Sequence, residues 1–207
     1  MMHSARPRIT PLKRAPRFYK LSSRGDATES NRARTSVSEN LVNPESWELC
    51  EARPIRAGFP RIVATIEQAG PLEDMPWNDS PGHIASDRLR RLIEREAPGH
   101  AEFLPVGLVW RNKPANLGNY WMINWLHMVD CFDRARSKYT TVPDKHEPEG
   151  QRLSFDKLVI NSRKIPRAIA VCRVTYYENI VVIRRSLREV LDAHGITGCQ
   201  FYAIDQV

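Results

Sequence analysis

The most regular alternation of apolar and polar positions lies near the carboxyl end, in residues 182–204. Three apolar residues recur there at the spacing of one helix face: Leu187, Val190 and Leu191. Ser186 precedes them and Glu189 follows three positions later, which is the pattern of a capping box. The pattern predicts a helix that is capped by Ser186 and begins near Leu187.

A glycine stop and a strand follow this predicted helix. Gly195 can adopt the left-handed conformation that ends a helix, and Ile196 can then fold back onto the apolar stripe. After Gly198, residues 199–203 alternate between apolar and polar side chains, as in a half-buried strand. Residues 182–204 are therefore predicted to form one helix–strand unit.

The same unit occurs 98 positions earlier, in residues 84–106. Without a gap, the apolar positions align as follows: Leu89 with Leu187, Leu92 with Val190, Ile93 with Leu191, and Phe103 with Phe201. Ser86 or Asp87 is the predicted cap, Pro98–Gly99 the stop, and residues 102–106 the strand. Two amphipathic helices can resemble each other by chance, but the shared distance to a phenylalanine favours an internal duplication.

Most of the remaining chain is predicted to be strand. Apolar and β-branched residues cluster in short segments separated by turn residues: 18–21, 61–67, 106–111, 140–142, 153–161, and a hairpin over 168–174 and 179–183. Residues 120–132 are apolar nearly all round, which fits either a helix or a strand buried on both faces; we predict a strand. Because strands outnumber helices and the two helices come late in each half, the predicted class is α+β with a mostly antiparallel sheet.

Charge separates the chain into two parts. The net charge of +7 equals the contribution of residues 1–24 alone, which contain seven basic residues and no acid: Arg6, Arg8, Lys13, Arg14, Arg17, Lys20 and Arg24. We predict a disordered basic extension over residues 1–17 and a single domain over residues 18–207. The neutral domain lacks the basic face of a nucleic-acid-binding protein, so nucleic acid is expected, if at all, only through residues 1–24. No apolar run is long enough to span a membrane.

Candidate catalytic chemistry is sparse. The four cysteines are widely spaced and unpaired in sequence, which suggests reduced, buried thiols in a cytoplasmic protein. His127, Asp130 and Cys131 carry metal-competent atoms, but no second cluster completes a metal site. Motifs for phosphate loops, nucleophile elbows and zinc proteases are also missing from the sequence. We therefore predict no catalytic residue, no metal and no cofactor.

One long loop, residues 68–83, is the most distinctive predicted surface. It contains an aromatic residue among acids: Glu73, Asp74, Trp77 and Asp79. Loops of this length in a compact domain are often functional, and tryptophan is a frequent anchor of protein interfaces. These four residues are the candidate partner-binding site for a basic partner. The alternative is a solvated acidic loop.

Three segments together resemble a known family: residues 88–106, the block 120–137 with its Tyr-Trp-Met-Ile-Asn-Trp sequence, and residues 187–201. They are similar to the immunity-protein family of bacterial polymorphic toxin systems first noted in myxobacteria and long catalogued as a domain of unknown function. The resemblance covers residues 18–204, and its motifs concern packing rather than catalysis. It implies a protein that binds and silences a cognate toxin.

The leading hypothesis is therefore a cytoplasmic immunity protein that acts by stoichiometric binding. One alternative is a nucleic-acid-associated protein that uses the basic arm. Another is a cysteine- or metal-dependent enzyme built around His127, Asp130 or a cysteine.

Overall fold

A computed structural model describes residues 15–23, 35–37, 48–67, 70–78, 82–143 and 151–207. The two helices are α1 (Asp87–Glu96) and α2 (Arg185–Ala193). The strands in chain order are β1 (Phe18–Ser23), β2 (Thr35–Val37), β3 (Ile62–Ile66), β4 (His83–Ser86), β5 (Ala101–Trp110), β6 (Lys113–Pro114), β7 (Tyr120–Trp125), β8 (Met128–Val129), β9 (Lys138–Pro143), β10 (Gln151–Lys157), β11 (Val159–Ile160), β12 (Val171–Val174), β13 (Tyr177–Arg184), β14 (Cys199–Ala203) and β15 (Asp205–Gln206). The predicted α+β class is confirmed.

Two larger sheets form the framework. The first has the strand order β2-β3-β5-β7-β4, with β6 paired to β5, and the second has the order β14-β1-β13-β12-β8. Two further pairs, β9 with β10 and β11 with β15, complete the fold. Most pairings are antiparallel, as predicted, whereas β3–β5, β8–β12 and β11–β15 run parallel.

The apolar segment 120–132 contains strands rather than a helix: β7 covers Tyr120–Trp125, and after a break β8 covers Met128–Val129 in the other large sheet. β7 occupies an interior position, paired on one side with β5 and on the other with β4. Five of its six residues are buried. Continuous hydrophobicity therefore reflects burial on both faces of the sheet rather than a helix.

The predicted internal repeat is present as two strand–helix–strand units. In the first, β4 leads into α1 and then β5; in the second, β13 leads into α2 and then β14. The strand ends Ser86 and Arg184 are 98 positions apart, and the starts of the two helices and of the two following strands keep the same offset. The sequence alignment thus corresponds to one repeated backbone path.

In each unit, one antiparallel strand lies between the two strands of the repeat. β7 lies between β4 and β5, where Ile123 pairs with both His83 and Phe103. β1 lies between β13 and β14, where Leu21 takes the equivalent place. The helix starts are also bonded alike, because the N–H of Asp87 donates to Asn119 at 3.0 Å and that of Arg185 donates to Arg17 at 2.8 Å.

The two helices begin differently. α1 is capped as predicted, with the Ser86 hydroxyl accepting from the N–H of Leu89 at 3.2 Å. The predicted Ser186 cap of α2 is wrong, because α2 begins at Arg185 and its N-cap is Arg184, which makes no side-chain cap bond. The Arg184 guanidinium instead donates to the carbonyls of Pro166 and Ile169. Strand β13 runs directly into the helix and leaves Ser186 inside its first turn.

The predicted glycine stop of α2 is confirmed. Gly195 has a φ of 60°, its N–H donates to the carbonyl of Asp192, and the N–H of Ile196 donates to that of Leu191. These two bonds form a Schellman motif, which satisfies carbonyl groups at the helix end. Ile196 packs against the core, as the sequence indicated.

One core joins the two units. Buried residues from both helices and both sheets belong to it, including Leu89 and Ile93 of α1, Leu187 and Leu191 of α2, and Trp125 of β7. Two further clusters include buried residues of the first sheet with Leu49, and of the second sheet with β11. The shared core means that neither helix is buried by its own unit alone.

The predicted basic extension, residues 1–17, falls mainly on residues 1–14, which lie outside the described residues. Residues 15–17 are described and contact the domain. The Arg185 guanidinium donates to the carbonyls of Ala15 and Pro16, and the N–H of Arg17 donates to the Gln206 side chain.

Candidate partner-binding surface

The acidic loop, of which the structure describes residues 70–78, is attached to both repeat units. The N–H of Met75 donates to the carbonyl of Thr197 at 3.0 Å, and the Tyr120 hydroxyl donates to the carbonyl of Glu73 at 3.1 Å. Gly198 permits this close approach, because a Cβ at that position would lie only 2.2 Å from the carbonyl oxygen of Met75. The loop is therefore held in a defined position over the turn that follows α2.

Asp74 is the centre of this attachment. Its Oδ1 accepts from the Ser86 hydroxyl at 2.6 Å, and its Oδ2 accepts from Arg88 Nη1 at 3.0 Å. Oδ2 also accepts from the N–H and hydroxyl of Thr197, at 3.1 and 3.2 Å. With only 9% of its surface exposed, Asp74 links the loop, the start of α1 and the turn after α2.

The other predicted site residues lie elsewhere in the same loop. Glu73 and Trp77 are half-buried and keep part of their side chains at the surface, whereas Asp79 lies outside the described residues. The structure thus separates the predicted set into a buried anchor, Asp74, and two partly exposed residues. Their role in partner binding stays a prediction.

Sequence reasoning missed the partner of Asp74. Thr197 is 123 positions away in the chain, so no local pattern connects the two residues. The available signal was the position of Thr197 between two glycines, Gly195 and Gly198, in a short turn. Such a turn leaves backbone N–H groups and a hydroxyl free to bind a carboxylate from another element.

A second surface lies beside the two helices. A cleft of about 370 Å³ is lined by Asp87, Arg88, Arg91, Leu92, Arg95 and His194, among others. Arg88 donates to the carbonyls of His194 and Gly195 at the end of α2, where a cation is favourable. Arg91 pairs with Asp87, and Arg95 with Glu96. The basic side chains of this cleft are thus compensated within the molecule.

The residues considered for catalysis are engaged in packing contacts and an ion pair. The His127 ring packs edge-on against His100, with 4.6 Å between ring centroids, and the Asp130 carboxylate lies 3.5 Å from Lys164 Nζ. Burial raises the pKa of Cys131 to about 11. Burial also raises the thiol pKa of Cys172 and Cys199, so these three cysteines are protonated at neutral pH. Among the described residues, no group of three or more His, Cys, Asp or Glu residues has an arrangement that could hold a metal.

His83 illustrates the structural use of polar groups in this fold. Its Nδ1 accepts from Trp125 Nε1 at 3.2 Å. Desolvation, together with the nearby charge of Arg173, lowers the pKa of His83 to about 3. The ring is therefore neutral at physiological pH, as an accepting nitrogen requires.

Comparison with known proteins places the chain in a family. In the described part of the chain, neither helix has the length and apolar character needed to cross a membrane. No curated protein matches the sequence. A family model, in contrast, matches residues 17–206, which include both repeat units and nearly all of the chain. The protein belongs to the immunity protein family (Imm11).

Proposed function

We propose that this protein binds a cognate toxin in a stoichiometric complex and neutralises it without catalysis. The observation that carries the proposal is the family match over residues 17–206, which supports a role in immunity to a toxin. The resemblance of the three packing segments in the sequence points the same way. A cytoplasmic location is part of the proposal, since the four cysteines are free thiols.

The chemistry of the described polar groups favours binding over catalysis. Asp74 holds two parts of the fold together, and burial keeps the thiols of Cys131, Cys172 and Cys199 protonated. A thiol needs its thiolate form to act as a nucleophile. Function in such a protein is expected to lie in the shape and charge of its surface.

We propose that the acidic loop contributes Glu73 and Trp77 to the contact with the toxin. Asp74 positions the loop, and the partly exposed indole of Trp77 supplies the large apolar area typical of interface anchors. The Glu73 carboxylate would favour a basic toxin surface, because complementary charges speed association and select partners. Asp79 belongs to the same proposed contact.

The first step of the test is to identify a toxin gene next to the gene for this protein, and its purified toxin domain is then the probe. Purified toxin and this protein should form a one-to-one complex, measured by calorimetry, and co-expression should protect cells. Trp77→Ala should weaken binding about tenfold or more, whereas Arg91→Ala, on the exposed side of α1, is the matched control and should bind normally. Removal of residues 1–14 should leave binding intact.

Titration of toxin activity distinguishes binding from catalysis. Stoichiometric neutralisation requires one protein molecule for each toxin molecule. Complete inactivation by a small fraction of an equivalent would indicate an enzyme and contradict the proposal. Loss of protection after removal of residues 1–14, together with binding to oligonucleotides, would favour the nucleic-acid alternative.

A further inference from the structure

The turn between β12 and β13 contains a tyrosine whose backbone has a positive φ. Val174 pairs with Tyr177, so Thr175 and Tyr176 form a two-residue turn. Tyr176 has a φ of 69°, a conformation that glycine or asparagine adopts far more readily than a bulky aromatic residue. Strained residues of this kind are concentrated at functional sites. A tyrosine thus occupies a position where the backbone conformation favours another residue type.

Tyr176 presents its side chain at the surface. It is one of the few large apolar side chains with substantial exposure, at 37%. The guanidinium carbon of Arg134 lies 4.5 Å from the centre of its ring, within the range of a cation–π contact. Tyrosine and arginine are the residue types, with tryptophan, that most often dominate the energetics of protein interfaces.

Arg134 is held in place but keeps its hydrogen-bonding edge available. Its neighbour Asp133 accepts from the N–H of Arg136 at 3.1 Å and from Arg136 Nη1 at 2.8 Å, which fixes the turn. The Asp133 N–H donates to the carbonyl of Val159. Within the described ranges, the Arg134 guanidinium forms no ion pair; the two nearby carboxylates, Asp133 and Asp130, pair with Arg136 and Lys164.

A cleft of about 390 Å³ opens next to this pair. Its lining combines two acidic, two basic and two aromatic side chains: Asp130, Asp133, Arg134, Lys164, Phe132 and Tyr176. Phe132 packs edge-on against Tyr139 and Phe155, with ring centroids 5.3 and 5.0 Å apart. The cleft therefore combines an apolar wall, supported by aromatic packing, with an arginine that has no carboxylate partner in the described residues.

We propose that Tyr176 and Arg134 form a second contact surface for the toxin, in which an acidic side chain of the toxin enters this cleft and pairs with Arg134. The inference rests on the proposed function, since it assumes a protein partner. A guanidinium stacked on an aromatic ring can bind a carboxylate through two parallel hydrogen bonds. The stacking also reduces the conformational freedom that binding would otherwise remove.

The arginines of α1 provide a contrast with Arg134. Arg88 pairs with Asp74, Arg91 with Asp87, and Arg95 with Glu96. An acidic partner would have to compete with carboxylates that are already bound. Arg134 needs no such exchange, which makes its cleft the better acceptor of an acidic side chain.

Tyr176→Asn tests the role of the tyrosine without threatening the fold, because asparagine tolerates a positive φ. Affinity for the toxin domain identified as above is measured by calorimetry, alongside a thermal melt. Tyr176→Asn and Arg134→Gln should each weaken binding about tenfold or more with unchanged melting. Tyr202→Asn is the matched control, since Tyr202 is 46% exposed, lies near Lys20 and belongs to β14, an edge strand of the same sheet; it should bind normally.

A charge exchange identifies the group that enters the cleft. Arg134→Glu should abolish most of the binding, and reversal of one acidic residue of the toxin to lysine should restore it. Binding by folded Tyr176→Asn and Arg134→Gln proteins within twofold of the unaltered protein would overturn the inference alone. Failure of the unaltered protein to bind the toxin would overturn both this inference and the proposed function. Reduced binding of a single-stranded oligonucleotide, with toxin binding unchanged, would assign the surface to nucleic acid and contradict it.

Discussion

Asp74 shows how a single side chain can connect distant parts of this fold. It accepts hydrogen bonds from the end of β4, from α1 and from the turn after α2. A carboxylate removed from water is stable only when such donors replace its hydration. The sequence predicted Asp74 as a contact residue, but its carboxylate oxygens accept hydrogen bonds from groups within the protein. We therefore expect Asp74 to affect partner binding indirectly, by holding the loop in place.

Asp74→Ala should lower the free energy of unfolding by roughly 3 kcal/mol, because it leaves the bound N–H and hydroxyl groups without their acceptor. Urea denaturation measures this loss. Glu94→Ala is the control, since Glu94 makes only an exposed ion pair with Arg90 and should cost less than about 1 kcal/mol. Similar losses for the two variants would contradict the role assigned to Asp74. Charge reversal at Asp74 is thus unsuited to mapping the interface.

The two helices are equivalent elements of the repeat, but their surroundings differ. They follow their strands at the same offset and present matching apolar residues to one core, but only α1 has a side-chain cap. The matching position at the start of α2 is Arg184, whose guanidinium binds carbonyl groups of the preceding loop. Tertiary packing therefore stabilises the start of α2 without a serine cap, which explains why the local capping pattern at Ser186 was misleading.

Paired serine substitutions test this difference. Ser86→Ala should lower stability by about 1–2 kcal/mol, because it removes the cap of α1 and a donor to Asp74. Ser186→Ala should change stability by less than about 0.5 kcal/mol, since Ser186 is exposed within the first turn of α2. Denaturant melts of both variants provide the measurement. An equal loss at the two serines would restore the capping role of Ser186.

At the scale of the whole molecule, the two repeat units depend on each other. Each helix packs into a core shared with the other unit, and the middle strand of the second unit, β1, comes from the start of the described chain. Asp74 and Thr197 add a polar link between the units. These contacts predict that the domain unfolds in one cooperative step.

Leu191→Ala tests cooperativity together with burial. Leu191 is 2% exposed, so its truncation should cost roughly 2–5 kcal/mol. All five tryptophans precede β8 in the chain, and their fluorescence therefore reports on the first repeat unit and the residues before it. If the fold is cooperative, this substitution in the second unit should shift the tryptophan transition as much as the far-UV circular dichroism transition. A loss below 1 kcal/mol, or an unshifted tryptophan transition, would contradict this prediction.

Local rules accounted for much of the fold. The apolar stripes, the Gly195 stop and the strand after Gly198 were readable because they depend on neighbours within one or two helical turns. The repeat was readable because duplicated packing keeps its spacing in the sequence. Family resemblance came from the same packing segments, and for this reason indicated fold and family better than a contact surface.

Local sequence patterns were sufficient to predict where the main helices and strands lie and that two units are similar. Only the tertiary structure decided that β1 completes the second unit, that Asp74 is an internal anchor, and that Tyr176 and Arg134 stack beside a cleft. The physical reason is distance along the chain. Short-range periodicity fixes the backbone of an element, whereas the role of a polar side chain depends on donors and rings that folding brings from far away.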